Sequence, residues 1–128
     1  MKSCQKKKLT PIPKLIKKSQ TVFNAWVRNR DAESGCVSCG GSVDHAGHYF
    51  NVGQFNGLRF TPENCHGQCV KCNLFLSGNL IRYRQGLIAR YGEQYVTDLE
   101  AMGDGPRPYK WTRTELDEII QKFTIKKK

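Results

Sequence analysis

No apolar run in this 128-residue chain approaches the roughly 18 residues that a membrane-spanning helix needs. A membrane partner is therefore not expected. The opening MKSCQKKKLTPIPK is basic but has no apolar stretch behind it, which argues against a secretory signal. Internal repeats are absent, and nothing in the composition supports a second folded domain. Histidine is scarce, with three residues, and methionine scarcer, with two. Acidic residues are missing altogether from residues 1–30, which carry nine bases, while the remaining residues hold 12 bases and 11 acids. The net charge of +10 is thus concentrated at one end. Such asymmetry is the footprint of a polyanion, most often nucleic acid; the competing explanation is a solvated basic tail. Lys6, Lys7, Lys8, Lys14, Lys17 and Lys18 are the candidate phosphate contacts in this part of the chain.

With 38% hydrophobic and 25% charged residues and a mean hydropathy of −0.59, the chain suits one soluble α+β domain, rich in helix. Residues 1–10 read as a flexible basic arm and 11–128 as a single domain. Within it, 11–33 should be an N-terminal helix, 34–91 a cysteine-bearing core, and 92–128 C-terminal helices. Leu15, Ile16, Ser19, Val22, Phe23, Trp26 and Val27 recur at helical period, which predicts a helix from Lys14 to about Ala32 with Phe23 and Trp26 on the core. His48-Tyr49-Phe50 and Leu58-Arg59-Phe60 are the best strand candidates, joined by the Gly- and Asn-containing loop 51–57. Leu74, Leu76, Leu80, Ile81, Tyr83, Leu87, Ile88 and Tyr91 fit one or two helices, with a break at Ser77-Gly78-Asn79. Glu93–Met102 predicts a further helix. Thr112 followed by Glu115 is a capping box for a last helix over 113–123.

Four of the six cysteines form two C-x-x-C pairs, Cys36/Cys39 and Cys69/Cys72, separated by 29 residues. Two such knuckles supply four thiolates, a closed tetrahedral zinc site with no open position for substrate, hence structural. Disulfides compete, but need an oxidising compartment; a redox C-x-x-C would normally occur once. Cys4 and Cys65 lack a knuckle partner and read as spectators. All three histidines, His45, His48 and His66, fall between the knuckles.

Within this segment the chain resembles the HNH endonuclease family. His48 matches the strand histidine, Asn64 the asparagine five positions before the second knuckle, and Asn73 the residue after its last cysteine. The combined string His45-Ala46-Gly47-His48-Tyr49, Leu58-Arg59-Phe60, Asn64 through Asn73, Ser77-Gly78-Asn79-Leu80 and Tyr83-Arg84 is similar, more closely still, to the phage NinG (Rap) recombination proteins. The resemblance covers about three-quarters of the chain. It differs at position 45, which is Asp in that family and His here, and in a longer basic N-terminal extension with further cysteines, of which Cys4 remains.

The resemblance implies a zinc-braced, HNH-like ββα-metal centre and a metal-dependent endonuclease of phage recombination, working in the host cytoplasm on branched DNA such as Holliday junctions or D-loops. Carried over by position, His48 is the general base, Asn64 its orienter, and Asn73 a ligand of a catalytic Mg²⁺ or Mn²⁺. Gly47 stands where many such sites carry a ligand, so Asp44 or His45 must supply one, and His66 is a further candidate. The plainer roles are a surface residue for His45, a cap for His66, a buried core histidine for His48, and a turn and an N-cap for the two asparagines. Arg59, Lys71, Arg82, Arg84 and Arg90 are candidate phosphate contacts nearby. Cutting both strands of a symmetric junction needs two sites, so a homodimer is expected. The alternative function is a non-catalytic, zinc-stabilised DNA-binding accessory protein.

Overall fold

A computed structural model of the chain describes residues 9–125. Most of the expected basic arm, with Cys4, Lys6, Lys7 and Lys8, lies outside these described residues. The architecture is α+β and helix-rich. The order is helix α1 (Ile12–Asp31), strand β1 (His45–His48), strand β2 (Cys65–Gln68), then helices α2 (Leu80–Tyr91), α3 (Glu93–Met102) and α4 (Arg113–Phe123). Among the described residues no helix is long and apolar enough to cross a membrane.

Helix α1 starts where the prolines allow it. Pro13 sits in the first turn, where its missing N–H costs no bond, and Leu15 N–H donates to Pro11 O at 2.9 Å. Its apolar stripe buries Leu15, Phe23 and Val27 against Leu116 and Phe123 of α4. The Phe23 and Phe123 rings meet edge to face, 4.8 Å between centroids. Helix α4 begins as its capping box dictates: Thr112 Oγ1 accepts from Glu115 N–H, while the Glu115 carboxylate accepts from Thr112 N–H. A second core of Val37, Tyr83, Leu87, Val96 and Leu99 joins α2 and α3 to the first knuckle. Gly86 is required there, because a Cβ on it would lie 1.8 Å from Val37 O.

The two-stranded antiparallel sheet lies between these cores, with His45 opposite Gln68 and His48 opposite Cys65. It corrects the strand expectation. Strand β1 ends where the first candidate strand was to begin, and Leu58 belongs to a 3₁₀ turn, Asn56–Leu58. The strand opposite is Cys65–Gln68, leading straight into the second knuckle. Its packing explains the choice. Cys65, His66, Gly67 and Gln68 are all buried, pinned to α1 by Gly67 N–H donating to Asp31 Oδ2 at 2.8 Å. Asp31 is itself paired with Arg30 at 2.7 Å.

The expected break at Ser77-Gly78-Asn79 is real. Residues Lys71–Phe75 form one wide π turn, closed by Leu76 N–H to Lys71 O at 2.9 Å. Ser77 and Asn79 then take left-handed conformations before α2 begins. Leu80 and Ile81 open α2 as the helical expectation has it, whereas Leu74 falls in the π turn and Leu76 just after it; all four are exposed, and Tyr91 is 45% exposed.

Candidate functional site

The sheet brings the two knuckles together. Val37 N–H donates to Gly67 O at 3.0 Å, which ties the first knuckle to β2, and β2 runs directly into Cys69. Arg90 of α2 clamps the first knuckle through the carbonyls of Ser34 and Gly35, each at 2.9 Å, and of Cys36. Arg90 is therefore spent inside the fold rather than offered to phosphate.

The sulfurs of Cys36, Cys39, Cys69 and Cys72 all lie within 4.8 Å of one another, and those of Cys39 and Cys69 are 3.6 Å apart. Tetrahedral zinc with Zn–S near 2.3 Å places its sulfurs about 3.8 Å apart, so this donor set fits a metal such as zinc. All four are free cysteines. Gly41 N–H and Cys72 N–H donate to Cys39 Sγ and Cys69 Sγ at 3.4 Å, and Asn79 Nδ2 donates to Cys72 Sγ at 3.5 Å, an outer shell suited to thiolates. Burial pushes the Cys36 thiol up, but the amides of Cys69, Cys39 and Ser38 outweigh it and hold it at about 7. Burial and the crowding sulfurs push Cys72 up to about 12. A cation is what lets all four ionise together. Cys65 is buried away from this group, and burial pushes its thiol well up.

His48 closes β1 and lines a cleft of about 290 Å³ with Ala46, Asn51, Val52, Asn73, Ser77 and Gly78. Its Nε2 lies 3.0 Å from Arg59 O. A carbonyl only accepts, so Nε2 carries the proton and Nδ1 keeps its lone pair. Burial lowers the His48 pKa below 6.5, opposed by the Arg59 carbonyl and assisted by the Arg59 charge. The ring is thus neutral at neutral pH.

Asn64 is fully buried and does a different job from the one expected. Its Oδ1 accepts from Phe50 N–H at 2.8 Å, and its Nδ2 donates to Phe50 O and Leu58 O. It fixes the loop whose next carbonyl, that of Arg59, holds His48. The group that orients His48 is this main-chain carbonyl, which no side-chain motif could reveal.

His45 and Asn73 are brought together, Nδ1 to Nδ2 at 3.0 Å. Asp44 instead accepts from Ser42 Oγ at 2.9 Å and Val70 N–H at 3.3 Å, bracing the second knuckle. His66 is not brought to the cleft. It is fully buried, with Tyr83 and Tyr95 hydroxyls each 3.2 Å from its two ring nitrogens. Burial, with the charges of Arg30 and Arg90, pushes its pKa down to about 3 against the pull of Asp31. With both nitrogens occupied it has no lone pair for a cation, which corrects its candidacy.

Gln68 was missed by the motif. Its Nε2 donates to Ser38 Oγ at 2.8 Å and Gly78 O at 2.7 Å, tying the first knuckle to the end of the π turn. A Cβ on Gly47 would meet Gln68 Oε1 at 1.9 Å, so glycine at 47 is a packing requirement.

Of the basic candidates, Lys14, Lys17, Lys18, Lys71 and Arg82 are exposed. Arg84 is paired with Glu100 at 3.0 Å, and Arg59 is half-buried with Nε donating to Gln20 Oε1 at 2.8 Å.

A family model described as Bacteriophage Lambda NinG protein matches residues 1–128. Protein ninG of Escherichia phage lambda is 37% identical over 123 residues, covering 94% of this chain and 59% of that protein. Protein ninG of Salmonella phage P22 is 39% identical over 123 residues, with the same coverage of both chains. Protein ninG of Escherichia phage 933W is 38% identical, covering 94% of this chain and 60% of its own length. The chain thus spans about three-fifths of the length of the curated relatives it matches. No solved structure matches it significantly.

Proposed function

This chain belongs to the NinG family of phage lambda, and from that premise we propose that it is a metal-dependent DNA endonuclease of phage recombination, with an HNH-like ββα-metal centre. The observation that carries the proposal is the 3.0 Å contact of His48 Nε2 with Arg59 O: a carbonyl only accepts, so Nε2 donates and Nδ1 is left as the free base of a histidine that lines the same cleft as Asn73.

In this mechanism His48 Nδ1 takes a proton from a water molecule. The water oxygen attacks phosphorus, the bond from phosphorus to the ester oxygen on the far side breaks, that oxygen takes a proton from solvent to leave as a hydroxyl, and the proton on His48 passes to solvent. A Mg²⁺ or Mn²⁺ ion would be held by Asn73 through Oδ1, with His45 joining it by giving up the hydrogen bond that its Nδ1 accepts from Asn73 Nδ2, and would supply positive charge to the scissile phosphate and the leaving oxygen. The tetrathiolate keeps His48 and Asn73, which stand on opposite sides of the second knuckle in sequence, on one frame. Lys14, Lys17 and Lys18 of α1, with Lys71 and Arg82, are the phosphate contacts of this reading. Branched duplex is its substrate, and a homodimer its active form.

The rival is a non-catalytic zinc-stabilised DNA-binding accessory protein. One observation favours it: no carboxylate is among the described residues lining the cleft. A nicking assay on branched and linear DNA, with Mg²⁺ or without any divalent ion, separates the two. We expect Mg²⁺-dependent cutting that His48→Ala reduces by about 10²–10⁴-fold, with zinc content and DNA affinity retained. Absence of cutting by the wild-type chain under every divalent ion would leave the accessory role.

A further inference from the structure

The segment from Leu74 to Leu76 is built in an unusual way. It leaves the cleft at Asn73 and returns to it at Ser77 and Gly78, and between them it exposes three large apolar side chains in a row. Phe75 is 79% exposed and Leu74 60%; Ile81, on the first turn of α2, is 78% exposed. Soluble domains seldom expose so many large apolar side chains within eight residues unless something docks on them.

The tip is held rigidly. Leu76 N–H bonds Lys71 O at 2.9 Å, Gly78 N–H bonds Cys72 O at 2.8 Å, and Asn79 N–H bonds Leu76 O at 2.8 Å. Asn79 Nδ2 also touches the sulfur of Cys72. The apolar side chains are therefore presented from the tetrathiolate frame, so little ordering entropy opposes binding to them.

Charge says what binds. Between Glu63 and Glu93 the sequence holds Lys71, Arg82, Arg84 and Arg90 and no acid. Arg84 is paired with Glu100 and Arg90 is spent on knuckle carbonyls. Lys71 and Arg82 are exposed and in no ion pair among the described residues. The acids bonded to this stretch are already committed: Asp31 to Gly67 N–H and Arg30, Glu100 to Arg84, and Asp44 to Val70 N–H and Ser42. A second copy docked two-fold on this surface would bring the same bases face to face. Unstacked nucleobases suit it better: each has an apolar π face for Phe75 and an attached phosphate for Lys71 or Arg82.

We propose that Leu74, Phe75, Leu76 and Ile81 form a docking surface for unpaired bases of a DNA strand, beside the cleft of His48. This rests on the DNA-directed reading above and adds to it the feature that would distinguish unpaired or branched DNA from uniform duplex.

The test uses the full, zinc-loaded chain without any other divalent ion, so binding is measured independently of cutting. Affinity is compared for a short duplex and for the same duplex with a central unpaired stretch carrying 2-aminopurine. The wild type should prefer the unpaired site by about tenfold and change the 2-aminopurine fluorescence on binding. Phe75→Ala should lose most of that preference while duplex affinity stays within about twofold, and Phe75→Trp should retain it. Because Phe75 is exposed, folding is not at stake; zinc content and circular dichroism check this. Equal affinity of the wild type for both DNAs, or an undiminished preference in Phe75→Ala, overturns the proposal. So does a wild-type dimer that Phe75→Ala dissolves without altering DNA preference, which would assign the surface to self-association. Preference without any cutting would sink the nuclease reading and leave this one standing; His48-dependent cutting with a neutral Phe75→Ala would do the reverse.

Discussion

The imidazole of His48 and the main-chain carbonyl of Arg59 are joined at 3.0 Å, across the loop between the two strands. That bond puts the proton on Nε2, and the surrounding burial lowers the ring's pKa below 6.5. A base with a depressed pKa stays unprotonated to lower pH. If His48 is the base, the acid limb of the pH–rate profile should fall below 6.5, and the rate should be flat from there through neutrality. A limb lying well above 6.5 would assign it to another group.

Asn64 should matter through position rather than contact with substrate. Truncating it to Ala removes three hydrogen bonds and leaves Phe50 N–H and Phe50 O unpaired, while Leu58 O keeps only its bond from Thr61 N–H. The expected cost is about 3 kcal/mol in urea unfolding, with cutting reduced by about 10²-fold as the Arg59 carbonyl drifts. Asn64→Asp keeps the acceptor but not the donor, and should fall between. A stable, fully active Asn64→Ala variant would show the loop to be held by other means.

His66 should make the fold sensitive to acid. Its pKa is held near 3 when folded, mainly by burial, against about 6.5 when unfolded. Below 6.5 the unfolded chain binds a proton that the folded chain refuses. This contribution is therefore complete above 6.5 and is lost as pH falls toward 3. Urea midpoints should drop between pH 7 and pH 4.5, and the drop should be smaller in His66→Gln. An identical drop in both proteins would place the acid sensitivity elsewhere.

Replacing Cys72 by Ser should abolish stoichiometric zinc. It removes a ligand and also the sulfur that Asn79 bonds at the start of α2. Since metal binding free energy is folding free energy in such sites, the thermal transition should fall or broaden together with zinc content. Zinc retained at one per chain would remove Cys72 from the cluster.

Much of this was legible in the residues. The paired C-x-x-C spacing is a local signal, because each knuckle shapes its own turn, and the four sulfurs do converge. The capping box at Thr112 and the period of α1 are local too, and both helices form where they point. The apolar spacing placed Leu80 and Ile81 in a helix, and α2 holds them; Leu74 and Leu76 escape it because the π turn and the left-handed Ser77 and Asn79 interrupt the helical path before Leu80.

By itself the sequence determined the helices, the sulfur cluster and the family, because these depend on neighbours in the chain or on strings of specific residues. The tertiary structure alone decided which strand pairs with β1, that His66 is walled in by tyrosines, that Arg84 is paired with Glu100 at the surface and Arg90 is spent on knuckle carbonyls, and that a backbone carbonyl holds His48. Each of those depends on segments far apart in the chain meeting in one register, and pairing register is set by packing across the whole fold rather than by any local pattern.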